Sequence, residues 1–277
     1  MNFKNLSLLY ILTAFLMGAV SCSEKPQEQK PVGDPNEKPD ASYVFYEANP
    51  RVFATTNQLN AITARLENIQ DLGVDVIWLM PICEQGKEKA IGSPYCIKDF
   101  KKVHPQYGTL EDLKNLVSSA HSLGMKVILD WIANHTSWDN PWTKNKGWHS
   151  TDASGNIISP PGFNWTDVAD LNFGNNDMRE AMKDAMAYWV TEAGVDGFRC
   201  DYAEGVPQDF WTDVLAHLRS IKPEIILLAE GDKSWIYEVG FDIMYAWSFP
   251  NALEKVFKGN SGAASIFDAF NNDMSNV

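Results

Sequence analysis

From Tyr43 onward, short apolar runs take turns with longer amphipathic ones, and this alternation restricts the fold more than any other feature of the chain. Strand-like pieces read at 44–47, 74–80, 126–132, 195–201, 225–230 and 241–245. Helix-like pieces read at 59–72, 110–123, 178–193 and 209–221. Runs such as Val127-Ile128-Leu129 are apolar without a period of two, the pattern of strands covered on both faces in a parallel sheet. Helix follows strand throughout, so the class is α/β. With 277 residues and 45% hydrophobic content, one large domain is expected.

A repeating unit of this kind closes into a barrel or opens into a doubly wound sheet. Acidic residues stand at the ends of three different strands: Asp130, Asp201 and Glu230. Barrels gather their working groups on that face, which favours a (β/α)8 TIM-type barrel. Six strands are counted, so the barrel is expected to be incomplete here. After the third strand the rhythm breaks into a Gly/Pro/Asn-rich excursion at 136–173 containing Trp138, Trp142, Trp148 and Trp165. A loop of that length is functional or disordered, and four Trp argue against disorder. It reads as a small subdomain beside the cleft, its Trp side chains forming a mini-core or stacking on sugar rings.

Residues 1–21 carry Lys4, an apolar run and Ala19-Val20-Ser21 before Cys22. That is a signal peptide resembling a bacterial lipoprotein signal, with Cys22 as the lipidated first residue of the mature chain. Residues 22–40, with Pro26, Pro31, Pro35 and Pro39 among Glu, Gln and Lys, form an extended tether, and 41–277 the catalytic barrel. An exported, membrane-anchored lipoprotein is expected, at the periplasmic face or the cell surface. The net charge of −13 argues against nucleic acid as a partner and leaves neutral ligands open.

In Gly197-Phe198-Arg199-Cys200-Asp201, alternation puts Arg199 and Asp201 on one face, where the guanidinium would hold the carboxylate ionised and aimed. Cys200 would turn away into the core. Cys83 and Cys96 flank a loop and would be either a disulfide or two free thiols.

Three strand-end blocks, Asp130-Trp131-Ile132-Ala133-Asn134-His135, Gly197 to Asp201, and Leu228-Ala229-Glu230, resemble those of the α-amylase family of glycoside hydrolases in form and order. Val168-Ala169-Asp170-Leu171-Asn172 resembles a further family block, and Tyr95 with Asp99 and Tyr107 to Leu113 the segment before the third strand. The resemblance implies a retaining hydrolase of starch-like α-glucans or maltooligosaccharides. Asp201 is then the nucleophile and Glu230 the general acid/base; of the substrate-site residues Tyr95, His135, Arg199 and Asp130, the first two would contact the sugar ring being cut, Arg199 would orient Asp201 and Asp130 would be a structural carboxylate at the cleft floor. Asn134 and Asp170 match positions that hold a structural calcium ion in many relatives; no organic cofactor is implied. The mechanism requires two carboxyl groups ~5 Å apart, one to attack and one to protonate the leaving oxygen. A transglycosylase or isomerase of the same family, or a non-catalytic glycan-binding lipoprotein, is the alternative.

The pattern breaks twice. Glu204 and Gly205 stand where the family often has Lys and His. The later His-Asp block, source of a third catalytic carboxylate, has no counterpart, since no His follows His217. The expectation is an N-terminal part of a longer enzyme.

Overall fold

The structure, a computed structural model, describes residues 43–275; the leader, Cys22 and the tether lie outside the described residues. Six strands form one sheet: β1 (Phe45–Ala48), β2 (Val76–Leu79), β3 (Lys126–Trp131), β4 (Gly197–Cys200), β5 (Ile226–Ala229) and β6 (Ile243–Met244). They lie side by side in chain order, every neighbouring pair parallel. This is the six-stranded portion of the expected barrel. On one face Val76, Ile128 and Ile226 cluster with Phe45, Trp78 and Ile243. On the other, Ile77, Val127, Leu129, Phe198 and Leu227 join the main core under the helices. Cover on both faces is why these strands show no alternation in hydropathy.

After a single helical turn at Pro50–Phe53, the helices are α1 (Gln58–Thr63), α2 (Leu66–Gln70), α3 (Leu110–Ser122), α4 (Asn176–Tyr188), α5 (Gln208–Ile221), α6 (Trp235–Glu238), α7 (Ser248–Phe257) and α8 (Ala264–Met274). In α3, Thr109 and Asp112 form a reciprocal capping box at 3.2 and 2.8 Å, and Leu113, Leu116, Val117 and Ala120 make the buried stripe. The stretch 59–72, read as one helix, is two: Arg65 N–H turns back to the Ile62 carbonyl at 2.8 Å, a tightened turn that ends α1. Beyond α4, Trp189–Ala193 widens into a π turn that Gly194 stops at φ 70°.

Three Gly-apolar-Asp triplets repeat one device at the strand starts. In Gly73-Val74-Asp75, Gly194-Val195-Asp196 and Gly240-Phe241-Asp242 the glycine takes φ of 78°, 70° and 110°, a left-handed turn out of the preceding segment. The carboxylate then accepts a backbone N–H from the previous strand's start: Val44 to Asp75 at 2.7 Å, Val127 to Asp196 at 2.7 Å, and Leu227 to Asp242 at 3.0 Å. The Asp N–H donates back to the same residue's carbonyl at 2.9, 2.7 and 2.9 Å. Each clamp pins a pair of strands in register, and so sets which residues reach the opposite end together.

Two elements were not legible in the sequence. Cys83–Gln85 pairs antiparallel with Ile97–Val103, whose buried Ile97, Phe100 and Val103 fall every third residue, neither strand nor helix period. The 136–173 excursion is held by a ribbon of His135–Ser137 against Val168–Asp170. Its Trp residues have different surroundings. Trp142 packs on Phe100 and Trp148, with centroids 4.9 and 5.2 Å apart, whereas Trp165 faces the cavity described next. Cys83 and Cys96 are free and buried, donating to the carbonyls of Phe100 and Asp167 at 3.6 and 3.2 Å, so the disulfide alternative falls. Cys200 is buried in the core.

Candidate active site

Asp201 directly follows β4 and Glu230 directly follows β5, so the β4–β5 ladder fixes their spacing. Asp201 N–H donates to the Trp131 carbonyl at 2.8 Å, and Glu230 N–H to the Cys200 carbonyl at 2.9 Å. Gly197 begins β4 because nothing larger fits: a Cβ there would stand 1.9 Å from the Ile226 carbonyl oxygen. After Asp201 the chain turns at Tyr202 through φ 42°, an uncommon conformation for a non-glycine residue. That turn aims the Tyr202 N–H at Glu230 Oε2, 2.8 Å away. Gly205 is equally constrained, since a Cβ would meet the Tyr202 ring at 2.0 Å.

Arg199 organises the carboxyls. Its Nη1 donates to Asp201 Oδ1 at 2.8 Å and to Asp130 Oδ1 at 3.0 Å, and its Nη2 pairs with Glu230 Oε1 at 3.0 Å. The Nε–H reaches the Tyr245 hydroxyl at 3.2 Å, and the plane lies 5.0 Å from the Trp78 ring centroid. Asp130 is closed off entirely, accepting from Trp78 Nε1–H at 3.1 Å and from the Tyr95 hydroxyl at 3.2 Å. Arg199 and Asp130, grouped with the substrate contacts by resemblance, thus sit beneath the cavity and do not line it. They act through the carboxyls above them.

Arg199 aims the Asp201 carboxylate, but burial has the larger hand in its proton affinity. Burial pushes the Asp201 carboxyl up to about 6, helped by the adjoining Glu230, and the Arg199 guanidinium only partly offsets this. The reason is that Arg199 divides its charge among three acids while Asp201 is largely desolvated. Asp130 is driven to about 7, again by burial against the pull of Arg199. Around the guanidinium, the carboxylates and Tyr245 outweigh its own burial and hold it charged. Both carboxyls are held by the one Arg199 guanidinium, Asp201 at 2.8 Å and Glu230 at 3.0 Å, and so stand side by side at the strand ends.

The cavity above them measures about 570 Å³. Tyr95 and His135 line it as expected, with Asp201 and Glu230 at its base. His135 is buried and falls to about 4, so its ring is neutral near pH 7. One wall is aromatic: Phe163 stacks on Trp165 with centroids 4.1 Å apart, and Tyr202 meets both edge-on at 5.2 and 5.4 Å. Sequence reasoning missed Trp78, Tyr202, Tyr245 and Trp247. Trp78 had a usable signal, because its register partner Ile128 lies two residues before Asp130, which puts Trp78 on the same sheet face as Asp130 and Arg199.

Asn134 and Asp170 come together through the ribbon, where the Leu171 N–H reaches the Asn134 carbonyl at 3.2 Å and His135 pairs with Asp170. Oxygen donors suit calcium, but the ion takes six to eight and these residues bring two side chains. Among the described residues no group of three or more His, Cys, Asp or Glu side chains converges as a metal site. Asn134 and Asp170 alone fall short of that number, and nothing below is routed through a metal.

Residues 43–156 and 163–234 match the family described as alpha amylase, catalytic domain. Alpha-amylase 3 of Dictyoglomus thermophilum is 32% identical over 218 residues, covering 68% of this chain and 43% of that protein. A maltogenic alpha-amylase of Thermotoga neapolitana superposes with a TM-score of 0.76 at 33% identity, over 82% of this chain and 54% of that one. An alpha-amylase of Lactobacillus plantarum superposes at 0.77, also 33% identical, over 84% and 59%. The chain spans about half the length of the proteins it matches.

Proposed function

The chain belongs to the alpha-amylase family, and from that premise we propose that it contributes the catalytic pair of a glycoside hydrolase acting on starch-like α-glucans with retention at the anomeric carbon. The observation that carries this reading is the grip of one guanidinium on two carboxyls, Asp201 and Glu230, at the base of a sugar-sized, aromatic-walled cavity. Asp201, ionised above pH about 6, attacks the anomeric carbon while Glu230 delivers its proton to the departing oxygen. In the second half Glu230 takes a proton from water, which displaces the Asp201 carboxylate. Arg199 and the Tyr202 N–H fix the two side chains in that geometry, so little reorganisation accompanies the charge movement. Neutral His135 and Tyr95 supply hydrogen bonds to the ring being cut. The leader, Cys22 and the Pro-rich tether support export and lipid anchoring.

Proton NMR of a maltooligosaccharide digest tests the chemistry: the α-anomer must appear first and mutarotate afterwards. First release of the β-anomer contradicts the double displacement. Retention of a Cys22→Ser protein in the membrane fraction, equal to wild type, contradicts the anchor.

A further inference from the structure

Resting on the α-glucan reading, we infer that Glu204 selects substrate by charge on the leaving side, taking a neutral sugar through its hydroxyls and turning away sugars that carry phosphate or carboxylate. Glu204 sits in the short turn Ala203–Gly205, which is docked on the Glu230 segment by the Ala203 N–H to Glu230 carbonyl bond at 3.1 Å. Its Oε1 accepts the Asp232 N–H at 2.8 Å. Gly231 is the cradle for this arrangement, because a Cβ there would lie 2.8 Å from Glu204 Oε1 and 2.9 Å from its Cγ. Glu204, Glu230, Gly231 and Asp232 all face the cavity. Glu230 is the group that hands its proton to the leaving oxygen, so the sugar on that side rests against Glu204.

A carboxylate has about four acceptor positions, and one backbone N–H leaves capacity for sugar hydroxyls. The surroundings give an incoming anion no counter-charge. Among the described residues that line the cavity there are five acids and no Lys or Arg. Arg199 beneath it is committed to three carboxylates, His135 is neutral, and Lys233, 58% exposed, pairs with Asp232 at 2.9 Å. Position 204 is also where the family resemblance breaks, with an acid in place of a base. A charge ~6 Å from an incoming anion changes affinity by about tenfold at an effective dielectric near 40.

Fluorescence titration is practical because Trp165 and Trp247 line the cavity. Wild type, Glu204→Gln and Glu204→Lys are titrated with maltotriose and with maltotriose 6-phosphate, at low and high salt, after circular dichroism confirms each fold. Wild type is expected to bind the neutral sugar at least about tenfold tighter at low salt, with the gap shrinking at high salt. Glu204→Gln narrows the gap about 3- to 10-fold, weakening the neutral sugar through the lost acceptor by less than it relieves the phosphate; Glu204→Lys narrows it further. Equal affinities in wild type, or a gap unchanged in Glu204→Gln, overturn the inference even if Glu204→Lys fails to fold. If neither sugar binds wild type, the α-glucan reading falls and the inference with it; neutral binding with an unchanged gap removes the inference alone.

Discussion

Gly197→Ala should cost about 3–5 kcal/mol, and the structure says why. The added methyl would lie 1.9 Å from Ile226 O, 2.7 Å from Ile226 C and 2.9 Å from Ile226 N, all backbone atoms that cannot swing aside. An ordinary carbon–oxygen approach is about 3.3 Å, so β4 and β5 must part by ~1.4 Å. That stretches the Ile226 N–H to Asp196 carbonyl bond, now 2.8 Å, beyond hydrogen-bond range and loosens the ladder after it. Overpacking contributes about 1–3 kcal/mol and two weakened bonds about 1 kcal/mol each. Urea unfolding followed by circular dichroism reads the effect as a midpoint lowered by about 1–2 M. Gly194→Ala is the control: its φ of 70° is strained for alanine, yet no atom lies within 4 Å of the new methyl, so only about 1–2 kcal/mol is expected. Equal midpoint shifts for the two variants, or a wild-type midpoint for Gly197→Ala, would refute the steric argument.

Asp201→Asn should lower kcat by about 10⁴-fold with an unchanged far-ultraviolet spectrum, because the amide keeps the shape and loses the nucleophile; turnover within tenfold of wild type removes Asp201 from that role. On the acid side, kcat/KM should fall tenfold per pH unit below an apparent pKa of about 6, since protonation of the raised Asp201 carboxyl silences attack; that pKa belongs to the Asp201–Glu230 pair, and a flat profile down to pH 4 contradicts it. Asp196 is buried but held below the ordinary carboxylate range by Lys222, the Val127 N–H and His121, which together outweigh its desolvation. A depressed folded-state pKa means stability that is present above pH about 4 and lost as pH falls through the folded value. Asp196→Ala should therefore cost about 2–4 kcal/mol at neutral pH and less in acid, as pH-dependent denaturation would show; a pH-independent penalty counts against the clamp.

The strand–helix rhythm, the parallel class and the three strand-end acids were legible in the linear chain because each rests on local spacing. Apolar runs of four to six residues mark strands buried on both sides, and a carboxylate next to such a run has only the strand end to occupy. The hairpin at Ile97–Val103 was not legible, since its buried positions follow the contacts of the surrounding loop and no regular period.

What the sequence determined by itself was the candidate pair, Asp201 and Glu230, and the strands that deliver them. Tertiary structure alone decided that Arg199 serves three acids at once and that burial outweighs it at Asp201, raising that carboxyl. The aromatic wall of Phe163, Trp165 and Tyr202 was equally hidden, its members lying up to 39 residues apart. Charge and desolvation depend on the distances between all neighbours in space, and those distances are set only when β4 and β5 lock together around Gly197.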